Sequence, residues 1–415
     1  MTTPSLPEMT RVFGRIGLLS FGGPAAQISL MHRELVEDRD WLSEQSYLRA
    51  LSLCMMLPGP EAMQLATYAG WRLRGVLGGL IGGGLFVLPG ALIIVVLTLA
   101  YSSFGQIPMV QAAFLGIKAA VIVIVVQALI RLSGKALGSG LARALAVAAF
   151  AAIFVFGLAF PLVVLGAGLV GAAYMGEPAA NTATPPHVPF AQTLRTIAFW
   201  GALWAVPLAL AYAFDPTFLG ALGLFFSKLA VVTFGGAYAV LAYMTQTVVA
   251  DYGWLNTAQM IDALGLAETT PGPLILVTQF VAILAGIGQH GWAFGLLAGA
   301  LALWVTFIPC FLWIFAAAPY VESLAHRPRL GAALRAITAA VVGVIAQLAL
   351  WFALHVLFAD ISNFGPMPLP HIASIQPVAL CLVGLAAALL LWRKLSVPMS
   401  LAILAIAGAT LQPLI

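Results

Sequence analysis

The chain has 415 residues, of which 62% are hydrophobic and only 8% are charged, with a formal net charge of +4. Because soluble domains carry about 25% charged residues, this composition excludes a soluble protein and predicts a membrane protein with many spanning segments. The arginines stand at the ends of apolar segments rather than on one basic face, which argues against nucleic acid as a partner. The three cysteines are scattered and show neither disulfide nor metal spacing. The first residues also lack the pattern of a cleavable signal peptide.

An internal repeat organises the rest of the sequence. A shift of 213 residues places Phe21-Gly22-Gly23 on Phe234-Gly235-Gly236, and Pro58-Gly59-Pro60 on Pro271-Gly272-Pro273. Further along, the shift becomes 220 and places Pro89 on Pro309. Seven residues were therefore inserted between the two matched regions. A match this long and in the same order indicates a duplication.

Each copy is predicted to begin with an interrupted helix and to continue with a split one. In the first copy, the helix over 9–31 is interrupted at Gly22-Gly23-Pro24, and the stretch 43–73 is split at Pro58-Gly59-Pro60. Further apolar segments lie at 75–101, 108–132, 138–158 and 160–176, and in the second copy at 219–249, 257–286, 291–317, 328–358, 375–393 and 396–414.

These segments predict an all-α polytopic membrane protein built from two homologous helical repeats. The first repeat covers 1–176 and the second covers 218–415. The linker over 177–217 begins with a polar, proline-rich stretch and contains an apolar stretch over 194–214. That stretch is either an extra spanning helix or an interfacial one.

The distribution of basic residues predicts that the two repeats are inverted in the bilayer. Lys and Arg in short loops mark the cytoplasmic side. In the first copy the loop 32–49 carries three arginines, whereas its partner in the second copy, 250–257, carries no Lys or Arg. The opposite holds for the loop 102–107, which carries no Lys or Arg, whereas its partner in the second copy contains Arg327, Arg329 and Arg335. This exchange of basic loops is typical of an inverted repeat. A count of five segments per copy conflicts with inversion if 194–214 spans, but segment boundaries are weaker evidence than the charge pattern.

The Pro-Gly-Pro tripeptides are the strongest indication of function. Proline lacks an N–H and glycine resists helical order, so each tripeptide breaks its helix. The pieces, of about 15 residues, are shorter than the ~20 needed to span, which predicts re-entrant helical hairpins. Broken backbone is tolerated in a bilayer only where it is buried in protein or lines a cavity, and a helix that begins there directs its N–H groups into that cavity. Two breaks predict the anion site of a transporter, and the alternative is a tight helix–helix turn.

Side chains beside the breaks supply further candidates. Glu61 and Gln64 lie on one face of the first turn after the first break, and Thr269 and Thr270 precede the second, with Gln279 further along. A tetrahedral oxyanion needs several N–H and O–H donors, which helix N-termini flanked by Thr and Gln provide. Glu61 is either a proton carrier or an acid that stabilises a helix N-terminus.

The interrupted helices and nearby cations form a second group of candidates. A hydroxyl precedes each glycine pair, from Ser20 in the first copy and from Thr233 in the second. The glycines permit either close approach to the hairpin or close helix packing. Arg15 and Lys228 stand five residues before these hydroxyls, and they either neutralise a bound dianion or extend to the membrane surface.

Lys118, inside the apolar run 108–132, faces either the transport pathway or an anionic partner such as Glu61. The full set of predicted binding residues is Arg15, Ser20, Gly22, Gly23, Pro58, Gly59, Pro60, Glu61, Gln64, Lys118, Lys228, Thr233, Gly235, Gly236, Thr269, Thr270, Pro271, Gly272 and Pro273.

Nothing in the sequence predicts an enzyme. The chain has no nucleophile elbow, His-Glu-x-x-His motif or P-loop, and no cofactor or metal is predicted. Energy for transport must come from an ion gradient, the membrane potential or a separate protein. The alternatives from other classes are an intramembrane enzyme or lipid-handling protein, which would need a polar catalytic cluster, and a channel. The oligomeric state is left open, and a homodimer is compatible with the sequence.

The chain resembles the chromate ion transporter family, in its long form with both repeats on one chain. The resemblance covers the sequence apart from 177–217 and rests on Ser20-Phe21-Gly22-Gly23-Pro24, Leu57-Pro58-Gly59-Pro60-Glu61 with Gln64, Tyr68-Ala69-Gly70-Trp71, Thr233-Phe234-Gly235-Gly236 and Thr270-Pro271-Gly272-Pro273. One departure is Ala237, which stands where the first copy has Pro24.

The resemblance implies export of chromate across the bacterial inner membrane, driven by the membrane potential or coupled ions and conferring chromate resistance. It also implies competition with sulfate, a tetrahedral dianion of similar size. The residues alone do not separate chromate from sulfate or another oxyanion. The expected partners are therefore chromate or sulfate and the lipid bilayer.

Overall fold

The computed structural model describes residues 4–174, 190–234, 237–321 and 328–414. The proline-rich part of the predicted linker, over 177–189, lies outside the described residues, as do Gly235, Gly236 and Arg327.

The helices of the first repeat follow the apolar segments of the sequence. They are α1 (Leu6–Leu19), α2 (Gly23–His32), α3 (Glu44–Met56), α4 (Glu61–Phe104), α5 (Pro108–Ala136), α6 (Gly140–Phe154) and α7 (Phe160–Tyr174). Side-chain caps fix several of their beginnings: Ser43 Oγ accepts from the Ser46 N–H, and Ser139 Oγ accepts from the Ala142 N–H. α4 leaves helical geometry at Arg74 and Gly75, which is the predicted boundary between two segments.

The second repeat follows the linking helix α8 (Phe190–Phe214). Its helices are α9 (Ala221–Val232), α10 (Ala237–Gln246), α11 (Thr257–Thr269), α12 (Val277–His290), α13 (Trp292–Ala317), α14 (Pro328–Leu357), α15 (Pro377–Ala387) and α16 (Val397–Thr410).

The prediction of an all-α fold is confirmed. One short hairpin, of strands β1 (Ile361–Phe364) and β2 (Met367–Pro370), pairs antiparallel between α14 and α15. The turn between them contains Gly365 at φ +61°, a conformation that suits glycine. The hairpin lies in a stretch between apolar segments, to which the sequence prediction assigned no structure.

The duplication is visible in the backbone as well as in the sequence. Gly59 and its partner Gly272 both have positive φ, as do Asp40 and its partner Gly253. Single π-helical turns stand at Arg33–Glu37 and, offset by one residue in the alignment of the repeats, at Thr247–Asp251. The two copies therefore share local conformation at positions where their side chains differ.

The chain divides into two compact units, and each unit combines parts of both repeats. The first unit consists of Met1–Thr98, Glu177–Ala237 and Thr270–Gly331, and the second consists of Leu99–Gly176, Tyr238–Thr269 and Ala332–Ile415. The predicted repeats describe the ancestry of the sequence, whereas the units describe which segments pack together.

Within each unit, helices approach closely through small residues. In the second unit, α5 and α16 meet where Gly116 faces the Leu404 carbonyl and Gly408 faces the Ala112 carbonyl. In the first unit, Gly286 of α12 faces α13 in a similar way. Contacts of this kind are typical of helix packing in membranes.

Five of the described helices are long and apolar enough to cross a membrane, judged by length and composition. They are Glu61–Phe104, Pro108–Ala136, Ala191–Phe214, Trp292–Tyr320 and Arg329–Leu357. The linking helix α8 is among them, so the stretch 194–214 has the properties of a span. Large apolar side chains such as Leu92 and Val96 of α4 are about two-thirds exposed, at 66% and 64%, as expected of a surface that contacts lipid.

Candidate functional site

Both Pro-Gly-Pro tripeptides interrupt helical structure. The first separates α3 from α4, and the second separates α11 from the short 3-10 turn Leu274–Leu276. Gly59 has φ +117° and Gly272 has φ +90°, a conformation that L side chains rarely adopt. A Cβ on Gly59 would also lie 2.9 Å from Cys310 Sγ and 3.0 Å from Gln64 Nε2. Glycine is therefore the residue that fits at the centre of each break.

Each break is hydrogen-bonded to the interrupted first helix of the other repeat. The Gly59 N–H donates to the Thr233 carbonyl at 2.9 Å, and the Gly272 N–H donates to the Ser20 carbonyl at 2.9 Å. Ser20 and Thr233 are the C-cap residues of α1 and α9, so their carbonyls have no acceptor role within those helices. These carbonyls accept hydrogen bonds from N–H groups that the breaks leave without a partner in their own helix. All four residues belong to the first unit. The exchange is reciprocal, which agrees with a two-fold relation between the repeats.

Two buried glutamines complete the hydrogen bonds of the breaks. Gln27 Nε2 donates to the Ser20 carbonyl at 3.1 Å and to the Gly272 carbonyl at 2.7 Å. Gln64 Nε2 donates to the Pro58 carbonyl at 2.6 Å. Gln64 was predicted from its place after the break, whereas the sequence prediction missed Gln27. The only sequence signal for Gln27 is a polar amide inside a short apolar helix.

Three of the predicted hydroxyls donate to the preceding helical turn. Ser20 Oγ donates to the Ile16 carbonyl, Thr233 Oγ1 to the Leu229 carbonyl at 2.6 Å, and Thr269 Oγ1 to the Leu266 carbonyl at 2.8 Å. In this structure, the three hydroxyl protons are used in hydrogen bonds that stabilise the ends of helices. The backbone N–H groups at the start of α4 and of the turn before α12 are therefore the donors that a bound anion would use first.

Several buried polar atoms of the first unit have no hydrogen-bond partner in the part of the chain that the structure describes. They are Gln64 Oε1, Gln279 Oε1, Thr306 Oγ1 and Trp313 Nε1. Most buried polar groups are hydrogen-bonded, so such atoms mark polar interior that a ligand or water can occupy. Thr306 lies one turn before Cys310 of α13, whose Sγ would contact a Cβ on Gly59. The sequence prediction did not include Thr306.

A positive φ is the feature shared by the described glycines of the first interrupted helix. Gly22, at φ +84°, precedes α2, and Gly23, at φ +79°, is the first residue of α2. Gly90 of α4, which was not predicted, faces the Pro271 carbonyl so closely that a Cβ would clash with it. The matching pair Gly235 and Gly236 lies outside the described residues.

The two cations predicted to neutralise a dianion are both exposed. The Arg15 side chain is 61% exposed, and its Nε lies 3.7 Å from Glu34 Oε1. Glu34 is buried and also binds Arg39 at 2.6 Å. Lys228 is exposed on α9. A role of Arg15 and Lys228 in binding the substrate stays a prediction.

Lys118 belongs to the second unit and has an acidic partner there. Its Nζ lies 3.0 Å from Asp262 Oδ1, and the other oxygen of Asp262 accepts a hydrogen bond from the Tyr101 hydroxyl at 2.7 Å. The anionic partner is therefore Asp262, which the sequence prediction missed in favour of Glu61. Asp262 aligns with Arg49 of the first copy, so the repeat gave no signal for it.

Comparison with protein families finds one model that covers most of the chain. The model described as "Chromate transporter" matches residues 7–172 and again 220–411. The two matched regions correspond to the two predicted repeats, and the unmatched part corresponds to the linker.

Comparison with curated proteins finds relatives of similar length. The chain is 32% identical over 412 residues to a "Probable chromate transport protein" of Synechococcus elongatus, with 97% of this chain and 95% of that protein covered. It is 31% identical over 422 residues to the "Chromate transport protein" of Cupriavidus metallidurans, covering 100% and 95%. A "Chromate transport protein" of Pseudomonas aeruginosa is 34% identical over 350 residues, covering 82% and 79%. No solved structure gives a significant match.

Proposed function

Because this chain belongs to the chromate transporter family, we propose that it is a secondary transporter that exports chromate from the bacterial cytoplasm across the inner membrane and so confers chromate resistance. The relatives are transport proteins, and the chain is accordingly a transporter rather than an enzyme. The helices long enough to span support a multi-pass membrane location.

The observation that best supports an anion site is the reciprocal pairing of the two breaks. Gly59 is held by Thr233, and Gly272 is held by Ser20, both through backbone hydrogen bonds of 2.9 Å. The pairing fixes two helix beginnings inside one unit, and the partial positive charge of a helix N-terminus favours an anion. The same unit contains buried polar atoms that have no hydrogen-bond partner among the described residues, such as Gln64 Oε1. A bound ligand and its water would supply those hydrogen bonds.

The direction of transport follows from the charge of the substrate. A membrane potential of 100 mV is worth about 2.3 kcal/mol per elementary charge, so it favours the exit of a dianion from a negative interior by roughly 4.6 kcal/mol. Export therefore needs no nucleotide. Alternating access is proposed to arise from inverted repeats that meet at the paired breaks.

The test is uptake of labelled chromate and labelled sulfate into inverted membrane vesicles from cells that make this protein. Inversion turns export into uptake, and the measurement is made with and without a membrane potential. Thr270→Val and Pro271→Ala alter the second break. Thr10→Val is the matched control, since Thr10 is exposed on α1 and donates to the Leu6 carbonyl in the manner of Thr233.

Chromate uptake that depends on the potential, persists in Thr10→Val and is lost in both break variants is the expected result. Uptake of sulfate without chromate would retain an oxyanion transporter but reject the chromate assignment. Uptake of neither anion would reject the proposed function. A growth assay on chromate with the same variants tests the resistance role, and the mass of the purified protein in detergent tests the homodimer.

A further inference from the structure

Thr306 of α13 carries a buried hydroxyl that its own helix does not use. The residue is 1% exposed, and its Oγ1 has no hydrogen-bond partner among the residues that the structure describes. Two other buried threonines of the first unit behave differently. The hydroxyls of Thr67 and Thr98 donate to the carbonyl four residues earlier, at 2.9 and 2.6 Å. A helical threonine satisfies its hydroxyl in this way without help from another element, so the Thr306 hydroxyl remains available as a donor.

A second donor of this kind lies on the same face of α13. Trp313 Nε1 is buried and has no hydrogen-bond partner in the described part of the chain, and an indole N–H donates but cannot accept. Between the two donors, Cys310 Sγ donates to the Thr306 carbonyl at 3.4 Å. The three residues are spaced by four and three positions, which places them within about 60° of one another around the helix. We call Thr306, Cys310 and Trp313 the donor face of α13.

The donor face borders the first break. A Cβ on Gly59 would lie 2.9 Å from Cys310 Sγ, so the middle of the face touches the centre of the break. Thr306 is one helical turn from that contact. Gln64, in the first turn of α4, is also within contact distance of Gly59, and its buried Oε1 has no partner among the described residues. All of these residues belong to the first unit.

The first repeat makes the same packing contact without donors. At the shift of 220 residues, the donor face aligns with Phe86, Gly90 and Ile93 of α4. Gly90 faces the Pro271 carbonyl, and a Cβ on Gly272 would lie 3.3 Å from the Phe86 carbonyl oxygen. This segment of α4 therefore packs on the second break as the donor face packs on the first. Apolar residues are sufficient for the packing, so the hydroxyl and the indole N–H of the second repeat have another use.

Buried donors of this type suit a tetrahedral oxyanion. Burying an N–H or O–H group without an acceptor is costly, and each oxygen of an oxyanion is an acceptor. Thr306 and Trp313 are neutral, so they attract an anion less strongly than a Lys or Arg would. Weaker attraction is an advantage in a transporter, because the substrate must leave the site as well as enter it.

We propose that the donor face of α13 forms part of the oxyanion pathway. Thr306 donates a hydrogen bond to the anion at the first break, and Trp313 donates one to the anion further along the face. The two donors are about 10 Å apart along the helix axis, so they serve successive positions of one anion. No proton is transferred, and the substrate moves with its full charge. The inference rests on the proposed function and adds α13 to the elements that bind the substrate.

The role of Thr306 is tested by equilibrium binding of chromate and of sulfate to the purified full chain in detergent. Thr306→Val removes the hydroxyl and keeps the branched shape of the side chain, whereas Thr306→Ser keeps the hydroxyl. Thr98→Val is the matched control, because Thr98 is buried in the same unit and its hydroxyl already has a carbonyl partner. The melting temperature of each variant is measured in parallel.

The role of Trp313 is tested by uptake of the same anions into inverted membrane vesicles. Trp313→Phe removes the N–H and keeps an aromatic ring. Trp304→Phe is the control on the same helix, since Trp304 Nε1 has a partner in the Leu203 carbonyl at 2.8 Å.

Thr306→Val is expected to bind both anions about tenfold or more weakly than wild type. Thr306→Ser and Thr98→Val are expected to bind within about threefold of wild type. Chromate and sulfate should be affected alike, because both present the same arrangement of acceptor oxygens. Trp313→Phe is expected to lower the uptake rate at saturating anion to about a tenth or less, and Trp304→Phe should transport as wild type does.

Three results would overturn the inference. Wild-type affinity in Thr306→Val, with only a lower melting temperature, would assign the hydroxyl to a buried water. An equal loss of affinity in Thr306→Ser would show that the shape of the side chain matters rather than its hydroxyl. Unchanged uptake by Trp313→Phe would remove the pathway along α13. Failure of wild type to bind or transport either anion would instead reject the proposed function, and the inference with it.

Discussion

Two glycines hold the breaks in the conformation that lets them pair across the repeats. Gly272 has φ +90°, and a Cβ there would lie 3.1 Å from Leu276 Cδ1 and 3.3 Å from the Phe86 carbonyl oxygen. We expect Gly272→Ala to lower the free energy of unfolding by ~1–3 kcal/mol, because a side chain strains this backbone region. Thermal unfolding of the purified protein in detergent measures the effect.

The matched control is Gly84→Ala. Gly84 lies in the same unit, within α4, and a Cβ there would have nothing within 4 Å. Alanine favours a helix over glycine by up to ~1 kcal/mol, so this variant should be as stable as wild type or more so. Equal stability of the two variants would contradict the role given to Gly272.

The imidazole of His32 links α2 to the start of α3 outside the candidate spans. Its Nε2 lies 2.6 Å from Glu44 Oε2, and its Nδ1 lies 3.0 Å from Glu37 Oε1. The hydrogen bond to Glu44 raises the pKa of His32 above its ordinary 6.5, against an opposing effect of burial. Because the folded-state pKa is raised, the stabilisation is complete below 6.5 and is lost as the pH rises through the folded value.

We therefore expect His32→Gln to lower the melting temperature more at acidic than at alkaline pH. Melting curves of wild type and variant across this range provide the measurement. A difference in melting temperature between wild type and variant that stays constant, or that grows as the pH rises, would contradict the ion pairs of His32 with Glu37 and Glu44.

Residues that repeat were predictable from the sequence, and residues that do not repeat were not. The duplicated glycines and prolines of the breaks point to a shared local conformation. Gln27 aligns with Val240, and its partner Gly272 is 245 residues away. Asp262 aligns with Arg49. Their roles come from long-range contacts, which no local pattern encodes.

The contact between α5 and α16 depends on glycines that let the two backbones meet. Gly116 faces the Leu404 carbonyl and Gly408 faces the Ala112 carbonyl, each too closely for a Cβ. We expect Gly116→Leu to separate the helices and lower stability by ~1–3 kcal/mol, as overpacking does. Thermal unfolding would measure the loss. Gly134→Leu, on the same helix with open space around it, should change stability much less, and a similar loss in both would argue against this contact.

Helices were predictable and the strand pair was not, for a physical reason. A long apolar run must satisfy its backbone internally when it lies in lipid, so it forms a helix. The hairpin of β1 and β2 lies between such runs and contains alternating prolines at Pro366, Pro368 and Pro370. Proline is normally depleted in strands, so the composition of this stretch argued against the structure that it adopts.

The inversion of the two repeats concerns the whole molecule and stays a prediction. Ser43 and its partner Asn256 occupy matching positions just before α3 and α11. If the repeats are inverted, Ser43→Cys and Asn256→Cys, each in a background without native cysteines, lie on opposite sides of the membrane. Labelling with an impermeant maleimide in intact cells and in inverted vesicles distinguishes the sides. Labelling of both cysteines from the same side would refute the inversion.

The interleaving of the repeats in two units was not predictable from the segment order. The sequence defines two consecutive repeats, whereas each unit takes segments from both of them. Pairings such as Gly59 with Thr233 and Gly272 with Ser20 join residues far apart in the chain. The repeat indicates that the two copies are related, but it does not specify which segments exchange partners.

Equilibrium binding of chromate to the purified protein tests most directly whether the paired breaks form the anion site. Thr270→Val alters the second break, Gln27→Leu removes the amide that binds both Ser20 and Gly272, and Thr10→Val is the exposed control. We predict that the first two variants, while folded, bind chromate about tenfold or more weakly and that the control binds as wild type does. Unchanged affinity in both break variants would contradict the assignment of the site to the breaks.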